Sequence, residues 1–290
     1  MHQTAAQFRE YENGMSYRDF TRMSRLIYEN CGIKMPDTKK TMLEARLGKR
    51  LRRLEMRSFG EYCDYLFSRE GMERELVTMI DLVTTNKTDF FREPAHYDHL
   101  LLKVLPEWVS NRPSPPAVKL KVWSAGCSTG EEPYTLAMVL NEFAAECPGF
   151  DFSILATDIS TRVLETAVSA VYEKEKVIPV PQNLKRKYLL RSKYRESAMV
   201  RIVPELREKI RFRRLNFMDA DFGIVEKFDI IFCRNVVIYF DRNTQERLLN
   251  KFCSLMAKDA HLFMGHSETI NGLEVPLVMV YPTVYQKQRR

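Results

Sequence analysis

The sequence predicts an α/β protein in which an all-α N-terminal domain precedes a mostly parallel, doubly wound sheet with a small inserted β-subdomain. Three observations predict this fold. Apolar residues recur at helical spacing through residues 17–83. From residue 119 onward, short apolar strand patterns alternate with helical patterns, as in βαβ units. Residues 172–210 break that alternation and carry a short strand pattern of their own.

A chain of 290 residues is long enough for more than one domain, and we place the boundaries where the pattern changes. We expect an all-helical domain over residues 1–83 and a linker over residues 84–117. The sheet domain then covers residues 118–290, with the insertion at about 172–210.

The N-terminal domain is expected to consist of short helices. One apolar stripe ends before Gly32, and glycine is common just past a helix C-terminus. Ser58, with Glu61 three residues later, forms a capping-box pattern at the start of another helix. Between them, residues 39–57 predict a strongly basic helix. Such a block either attracts an acidic partner or is a solvated helix face, and composition alone does not separate the two.

The composition is that of an ordinary soluble protein, with 45% hydrophobic residues, 29% charged residues and a formal net charge of +7. No apolar run is long enough to cross a bilayer, and the polar first residues predict no signal peptide. The six cysteines are scattered without a C-x-x-C pair, which favours reduced thiols and a cytoplasmic location. His96 and His99 lie one turn apart without a third ligand, so we interpret them as surface residues and expect no metal site.

The elements of the sheet domain follow from hydrophobic periodicity. The expected helices cover residues 95–109, 132–146, 160–170, 182–190 and 242–256. The expected strands cover residues 119–124, 152–157, 199–203, 210–215, the first half of 227–240, and 260–264. The alternating tail at 277–287 predicts a hairpin or an antiparallel edge.

The stretch from Val122 to Tyr134 predicts a strand, a glycine loop and a helix, the arrangement that binds a nucleotide-like ligand in an open α/β sheet. Glu131 and Glu132 occupy the start of that helix, where a phosphate would need bare backbone N–H groups. Two carboxylates repel phosphate and suit a ligand with hydroxyls, an amine or a positive charge, such as S-adenosylmethionine. The helix dipole would explain one acidic residue there, but two beside a glycine loop favour ligand binding.

Two further strand ends carry polar residues. Asp158 follows the second strand, where a carboxylate commonly binds ribose hydroxyls, and a capping role is the alternative. Arg234 and Asn235 follow a strand that is apolar on both faces, and Tyr239 comes soon after. Packing does not explain an arginine and an asparagine at this position, so we expect them to contact the ligand. With the strand–helix alternation and the antiparallel tail, these features fit a class I, Rossmann-like methyltransferase sheet.

Five segments, in this order and spacing, resemble the chemotaxis receptor methyltransferases of the CheR family, and the resemblance extends from Tyr17 to the C-terminus. The segments are TTNKTDFFR at 84–92, WSAGCSTGEEPY at 123–134, ATDI at 156–159, FCRNVVIYF at 232–240 and GHSE at 265–268. The resemblance implies transfer of the methyl group of S-adenosylmethionine to glutamate side chains of chemoreceptors. It also implies that residues 84–92 form a pocket wall, whereas the run by itself favours an interdomain linker.

The resemblance implies site roles residue by residue. It implies that Arg92 and Tyr239 take part in methyl transfer. Cofactor contacts are implied for Asn86, Thr88, Arg92, Glu132, Asp158, Asn216, Phe217, Cys233 and Arg234. The expected cofactor set also includes the strand-end positions Ala125, Gly126 and Asn235. No general base is expected, because a glutamate carboxyl group with a pKa of about 4.3 is already ionised at neutral pH.

The resemblance assigns the basic helix to the acidic methylation helices of chemoreceptors. The expected substrate-binding residues are Arg46, Lys49, Arg50 and Arg53. Some members of the family also dock a peptide from the receptor C-terminus on the inserted β-subdomain, through a glycine-rich turn. Residues 191–199 contain no glycine, which argues against peptide docking here. We expect a monomer that inserts into no membrane and binds no nucleic acid.

Three other functions agree with parts of the sequence. The basic regions would allow a nucleic-acid methyltransferase, but the chain has no Asn-Pro-Pro-Tyr-type motif and no aromatic-rich RNA-binding module. A non-catalytic S-adenosylmethionine-binding adaptor is disfavoured by Arg92 and Tyr239. A nicotinamide oxidoreductase is disfavoured because Glu131 and Glu132 occupy the position that a phosphate would need.

Overall fold

The computed structural model describes residues 14–112, 119–192 and 198–288, and the chain divides into two compact units between Thr85 and Asn86. The described part of the first unit is all-helical, as the sequence predicts. Its elements are α1 (Tyr17–Cys31), a 3-10 turn (Asp37–Lys39), α2 (Lys40–Arg53), α3 (Phe59–Leu66), α4 (Arg69–Arg74) and α5 (Leu76–Val83).

The helix ends in this unit follow the local sequence signals. Gly32 adopts a left-handed φ of 70° and ends α1. The Ser58 side chain accepts a hydrogen bond from the Glu61 backbone N–H at 3.1 Å, which caps α3. The Glu61 carboxylate accepts a bond from the backbone N–H of Arg57, one residue before the position that a standard capping box uses.

The second unit contains the predicted alternation of strands and helices. Its N-terminal part contains α6 (Ala95–His99), a π-helical turn (Leu100–Val104) and α7 (Leu105–Ser110). The sheet region begins with β1 (Leu120–Ala125), α8 (Glu131–Glu146), β2 (Phe152–Asp158), α9 (Thr161–Ser169) and β3 (Val171–Glu173). It continues with α10 (Gln182–Tyr188), β4 (Leu189–Arg191), β5 (Met199–Ile202), α11 (Pro204–Arg207) and β6 (Ile210–Arg214). The final elements are β7 (Phe228–Cys233), a 3-10 turn (Val237–Tyr239), α12 (Arg242–Leu255), β8 (Met256–Met264), β9 (Leu277–Tyr281) and β10 (Val284–Lys287).

The larger sheet has the strand order β6-β2-β1-β7-β8-β10-β9. The strands from β6 to β8 in this order are parallel, and β10 is antiparallel to both of its neighbours, which confirms the predicted antiparallel tail. From β1 the chain adds β2 and β6 on one side, and it then adds β7 and β8 on the other. The order therefore reverses between β1 and β7, and in open α/β sheets such a reversal opens a crevice at the carboxyl ends of the strands.

The inserted β-subdomain is also confirmed. It is a three-stranded antiparallel sheet in the order β3-β5-β4, and it begins at Val171. The run at 191–199, on which the expectation about peptide docking depends, lies outside the described residues at 193–197.

The helix expected over residues 95–109 is present as α6, the π-helical turn and α7, which follow one another without a break, and Pro106, which has no N–H to donate, comes just after the π-helical turn. One expected strand bound was wrong. The strand expected at 260–264 begins four residues earlier, because Met256 pairs with Phe228 at the start of β7. This pairing is long-range, so local periodicity does not reveal it. Across the described ranges, the chain has no helix with the length and apolar composition needed to cross a membrane.

Candidate active site

The sheet brings the predicted strand-end residues together at the carboxyl ends of its parallel strands. Ala125 at the end of β1 is in register with Thr157, and Asp158 at the end of β2 is in register with Arg214. Ser124 is in register with Phe232 of β7, just before Cys233 and Arg234. The loops that follow these four neighbouring strands therefore start at the same end of the sheet.

The glycine loop after β1 makes a close turn that side chains would block. Gly126 has a φ of 87°, and a Cβ at this position would lie 2.6 Å from Cγ2 of Val236. Gly130, with a φ of 99°, begins α8. The backbone N–H groups of Gly126 and Cys127 both donate to the carbonyl of Thr157, at 2.8 and 2.9 Å. These bonds tie the loop to the end of β2.

Asp158 makes contacts of the capping kind, one of the two roles that the sequence left open. One carboxylate oxygen accepts a bond from the Ser128 N–H at 2.8 Å, and the other accepts a bond from the Ser160 N–H at 3.0 Å. Asp158 thus holds the glycine loop and the start of α9 in place. A carboxylate has about four acceptor sites and is therefore the type of group that can also accept bonds from the hydroxyls of a ligand.

The two glutamates at the start of α8 have different environments. Glu131 accepts a bond from the Thr129 hydroxyl at 2.6 Å, and burial raises the pKa of its carboxyl group. Glu132 accepts a bond from the Ser124 hydroxyl at 2.7 Å and one from Arg234 Nε at 2.7 Å. Glu132 therefore reaches across from α8 to both β1 and the end of β7.

Arg234 is the most connected side chain of the site. Besides Glu132, its guanidinium donates to the Arg92 carbonyl at 2.7 Å and to the Tyr97 hydroxyl at 2.9 Å. Nη1 also lies 3.3 Å from Nδ1 of His96. Burial by itself lowers the pKa of the guanidinium, but the neighbouring Tyr97 and Glu132 outweigh burial and raise it. Arg234 is a permanent buried cation that joins the loop after β7 to α6 and α8.

The interpretation of His96 as a surface residue was wrong. His96 is fully buried, because it shares the apolar face of its helix with Leu100 and Val104, four and eight residues further on. Burial, followed by the charge of Arg234, lowers the pKa of His96 to about 4. The ring is therefore neutral at physiological pH.

The structure groups His96 with Glu93 and His266, whose potential ligand atoms all lie within 4.8 Å of one another. A metal ion at this cluster would need the Nδ1 lone pair of His96. The guanidinium of Arg234 already faces that lone pair, and a second cation there would be repelled. These contacts therefore favour a hydrogen-bond network over a metal ion at this cluster.

From Asn86 onward, the polar run contacts the glycine loop and the start of α8. The Ser128 hydroxyl donates to the Asn86 carbonyl at 2.9 Å, and the Phe91 N–H donates to the Thr135 hydroxyl at 3.2 Å. The Arg92 side chain is half-buried and donates to the backbone of its own segment at 3.0 Å, while Thr88 is also half-buried. These contacts fit a pocket wall.

The remaining predicted cofactor residues lie at the ends of β6 and β7. Asn216 is half-buried and accepts a bond from the Met218 N–H at 3.0 Å. Phe217 is buried and packs edge-on against Phe252, with ring centroids 5.5 Å apart. Cys233 is completely buried, and burial raises the pKa of its thiol well above the usual range. The Cys233 thiol is therefore protonated and is no candidate nucleophile.

Glu268 is a site residue that the sequence reasoning did not single out. Its buried carboxylate accepts backbone N–H bonds at 2.6–2.9 Å from Gly265, Asn235, Val236 and Val237. Asn235 has a left-handed φ of 60°, and Glu268 holds this turn, which leads into the half-buried Tyr239. Its position shortly after β8 could have indicated a role for Glu268, because residues that follow the other parallel strands are also predicted site residues.

The four predicted substrate-binding residues of α2 have unequal roles within the helical unit. Arg46 donates to the backbone carbonyls of Val83 and Thr84, at the end of α5. Arg50 forms a bidentate pair with Glu75. Lys49 and Arg53 are exposed. The exposed pair is therefore better suited than Arg46 and Arg50 to meet a partner.

Comparison with known proteins gives two family matches. Residues 86–285 match the family described as CheR methyltransferase, SAM binding domain, and residues 18–84 match its all-alpha domain. A chemotaxis protein methyltransferase of Borreliella burgdorferi is 40% identical, with 93% of this chain and 94% of the relative covered. That of Escherichia coli is 39% identical, with 93% and 91% covered. Chemotaxis protein methyltransferase 2 of Pseudomonas aeruginosa is 38% identical, with 92% of each chain covered.

Proposed function

The chain belongs to the CheR methyltransferase family and uses S-adenosylmethionine, and from this premise we propose that it methylates glutamate carboxylates of chemoreceptors to form glutamate 5-O-methyl esters. The observation that supports the proposal most is the set of buried or half-buried polar groups at the strand ends. Glu132, Asp158 and Arg234 lie there, beside a glycine loop that carries two acidic residues where a phosphate would need free N–H groups.

The residues present fit S-adenosylmethionine. Asp158 offers carboxylate oxygens to ribose hydroxyls, and Glu132 offers one to an amine or a hydroxyl. The turn at Gly126 leaves no room for a Cβ. Buried carboxylates at the start of α8 disfavour a pyrophosphate, which separates this site from a dinucleotide site.

The proposed reaction is a single displacement. S-adenosylmethionine supplies a methyl group bound to a positively charged sulfur. One oxygen of the receptor glutamate forms a bond to the methyl carbon while the carbon–sulfur bond breaks, and the electron pair of that bond stays on sulfur. The negative charge of the carboxylate and the positive charge of the sulfonium cancel, so no proton moves and no general base is needed.

The protein then has to align the reacting groups and exclude water. We assign the alignment of the carboxylate to Arg92 and Tyr239, both half-buried. The Arg92 carbonyl is held by Arg234, and Tyr239 follows the turn that Glu268 stabilises. The Tyr239→Phe variant should keep its affinity for S-adenosylhomocysteine while the methyl-transfer rate falls. If Tyr239→Phe transferred methyl groups at the wild-type rate while Arg92→Ala was inactive, Tyr239 would lose this role.

The decisive experiment is methyl transfer from radiolabelled S-adenosylmethionine to membranes that contain chemoreceptors, followed by alkaline treatment. We expect the label to be released as methanol, because a carboxyl methyl ester is labile in base. Label that survives alkali would contradict the ester and indicate N-methylation. Tight S-adenosylhomocysteine binding without transfer to any receptor would favour a non-catalytic adaptor.

A further inference from the structure

His96 lies in the middle of a hydrogen-bond chain between the turn that joins β9 to β10 and the carboxylate of Glu132. Its ring packs edge-on against Phe263, with centroids 5.6 Å apart. It connects Thr283 in the turn to Arg234 at the end of β7. The resemblance to the family implied no role for it.

The hydroxyl of Thr283 determines the tautomer of His96. This hydroxyl donates to the carbonyl of Pro282 at 2.8 Å, and its oxygen lies 2.9 Å from Nε2 of His96. Because a hydroxyl has only one proton to donate, its oxygen accepts a bond from His96. Nε2 therefore carries the ring proton, and Nδ1 presents a lone pair on the other side of the ring.

This lone pair faces Nη1 of Arg234 at 3.3 Å. The guanidinium is planar, and its five N–H donors have fixed directions. His96, Tyr97 and the Arg92 carbonyl hold its Nη1 and Nη2 groups, and these contacts set the direction in which Nε meets Glu132. A loss of the His96 acceptor would remove one hydrogen bond of Nη1, and this N–H could then turn toward Glu93 Oε2, which lies 3.5 Å away.

We propose that His96 is a positioning residue for the cofactor. Its neutral ring, held in one tautomer by Thr283, keeps the Arg234 guanidinium in the orientation that aligns the Glu132 carboxylate. The affinity for the cofactor then depends on a side chain that does not touch it. This inference rests on the proposed function, in which Glu132 and Arg234 contact S-adenosylmethionine.

The surroundings of the ring agree with a neutral acceptor. The charged or titratable groups around His96 are Arg234, Glu93, His266 and His99. Arg234 is the cation that faces Nδ1, whereas Glu93 Oε2 lies 3.5 Å from the same atom. A protonated ring would direct an N–H at the guanidinium and would break the hydrogen bond that the neutral ring accepts.

The test compares two substitutions of His96 by the affinity for S-adenosylhomocysteine, measured by calorimetry, and by the melting temperature. His96→Leu removes both ring nitrogens, and we expect about tenfold weaker binding, the effect of losing one hydrogen bond to a charged group. His96→Asn keeps an acceptor oxygen near the place of Nδ1, and binding should return to within about threefold of wild type.

The matched control is His99→Leu. His99 lies on the same helix, where its ring stacks on Tyr281 with centroids 4.3 Å apart. This variant should bind S-adenosylhomocysteine as the wild type does. Thr283→Val tests the other end of the hydrogen-bond chain, because it removes the acceptor for Nε2–H of His96 without changing a contact of Arg234. We expect about threefold weaker binding, the effect of one neutral hydrogen bond.

Unchanged affinity in His96→Leu would overturn the proposal. Equal losses of affinity in His96→Asn and His96→Leu would also overturn it, because a purely structural role does not depend on an acceptor oxygen. If His96→Leu does not fold, Thr283→Val decides, and wild-type affinity in that variant counts against the proposal. The methyl-ester assay of the wild type is a separate measurement, and its failure would contradict the proposed function instead.

Discussion

Each unit of the molecule contains an arginine–glutamate pair with a buried carboxylate, and the two pairs differ in how they use their hydrogen bonds. In the helical unit, Arg50 donates to both oxygens of Glu75, at 2.8 and 2.5 Å, and the Tyr62 hydroxyl donates to one of them at 3.0 Å. Glu75 is only 1% exposed. This pair holds α2 to α3 and to the start of α5, and the bonds of the carboxylate all stay within the helical unit.

In the sheet unit, Arg234 donates only its Nε to Glu132, and the rest of its guanidinium reaches His96, Tyr97 and a backbone carbonyl. The second oxygen of Glu132 accepts a bond from the Ser124 hydroxyl. The comparison teaches that an opposite charge and a buried carboxylate do not distinguish a structural pair from the pair that we propose binds the cofactor. Three features of the Glu132–Arg234 pair are informative. Arg234 meets the carboxylate through one nitrogen only, the carboxylate can accept further hydrogen bonds, and the pair lies at the carboxyl ends of the strands.

The largest expected effects come from the matched substitutions Glu75→Gln and Glu132→Gln. Glu132→Gln should lower the free energy of unfolding of the cofactor-free protein by about 3 kcal/mol, because it leaves the buried Arg234 with Glu93, 3.5 Å from Nη1, as its remaining counter-charge. Glu75→Gln should lower it by less, because Arg50 is partly exposed to solvent. Glu132→Gln should also weaken S-adenosylhomocysteine binding by roughly 10- to 100-fold, since a charged acceptor is lost. Glu75→Gln should leave this affinity unchanged. Denaturant titration and calorimetry measure the two quantities.

A loss of cofactor affinity in Glu75→Gln as large as that in Glu132→Gln would break the distinction between the two pairs. A stability loss confined to one of the two variants would show that the pairs also differ in their contribution to folding.

A smaller effect is expected from the exposed charges of α2. The double variant Lys49→Glu, Arg53→Glu should raise the KM for the receptor by about tenfold at low salt, and less at high salt, because exposed charges are screened. Its affinity for S-adenosylhomocysteine should not change. The measurement is the initial methylation rate against receptor concentration at two ionic strengths, with the exposed Arg69→Glu on α4 as the control.

A KM that does not respond to this charge reversal would remove Lys49 and Arg53 from the proposed receptor surface. Reversal of Arg50 would be a poor test of the same idea, because it would place an acidic side chain against the buried Glu75.

The smallest expected effect is the pH dependence of stability that two buried histidines of the sheet unit cause. Burial and Arg234 lower the pKa of His96 to about 4, and burial and His99 lower that of His261 to about 4. The unfolded chain therefore binds more protons between pH 6.5 and about 4, and stability falls as the pH falls through this window. His96 alone should account for about 1 kcal/mol between pH 6.5 and 5.5.

Denaturant titrations at several pH values measure this dependence, and His96→Asn should make it shallower. A wild-type protein whose stability was constant from pH 6.5 to 5.5 would contradict the buried, neutral state of both rings.

Much of the fold follows from local sequence signals. The capping of α3 by Ser58, the glycine loop at Gly126 and the order of strands and helices depend on neighbouring residues, so they could be predicted. The strand-end rule also predicted that Asp158 and Arg234 lie at the same end of the sheet, as they do. The start of β8 at Met256 could not be predicted, because its pairing with Phe228 joins residues that are far apart in the chain.

By itself, the sequence determined the fold class, the family and the chemical character of the site, because periodicity, turn residues and motifs act over short distances. Only the tertiary structure decided which charges are free to meet a ligand or a partner. Arg50 is engaged by Glu75, 25 residues away, and Arg234 meets His96 across 138 residues of chain. Such pairings depend on how the helices and strands pack, so side chains of the same type have different partners, and are free for different tasks, at different positions.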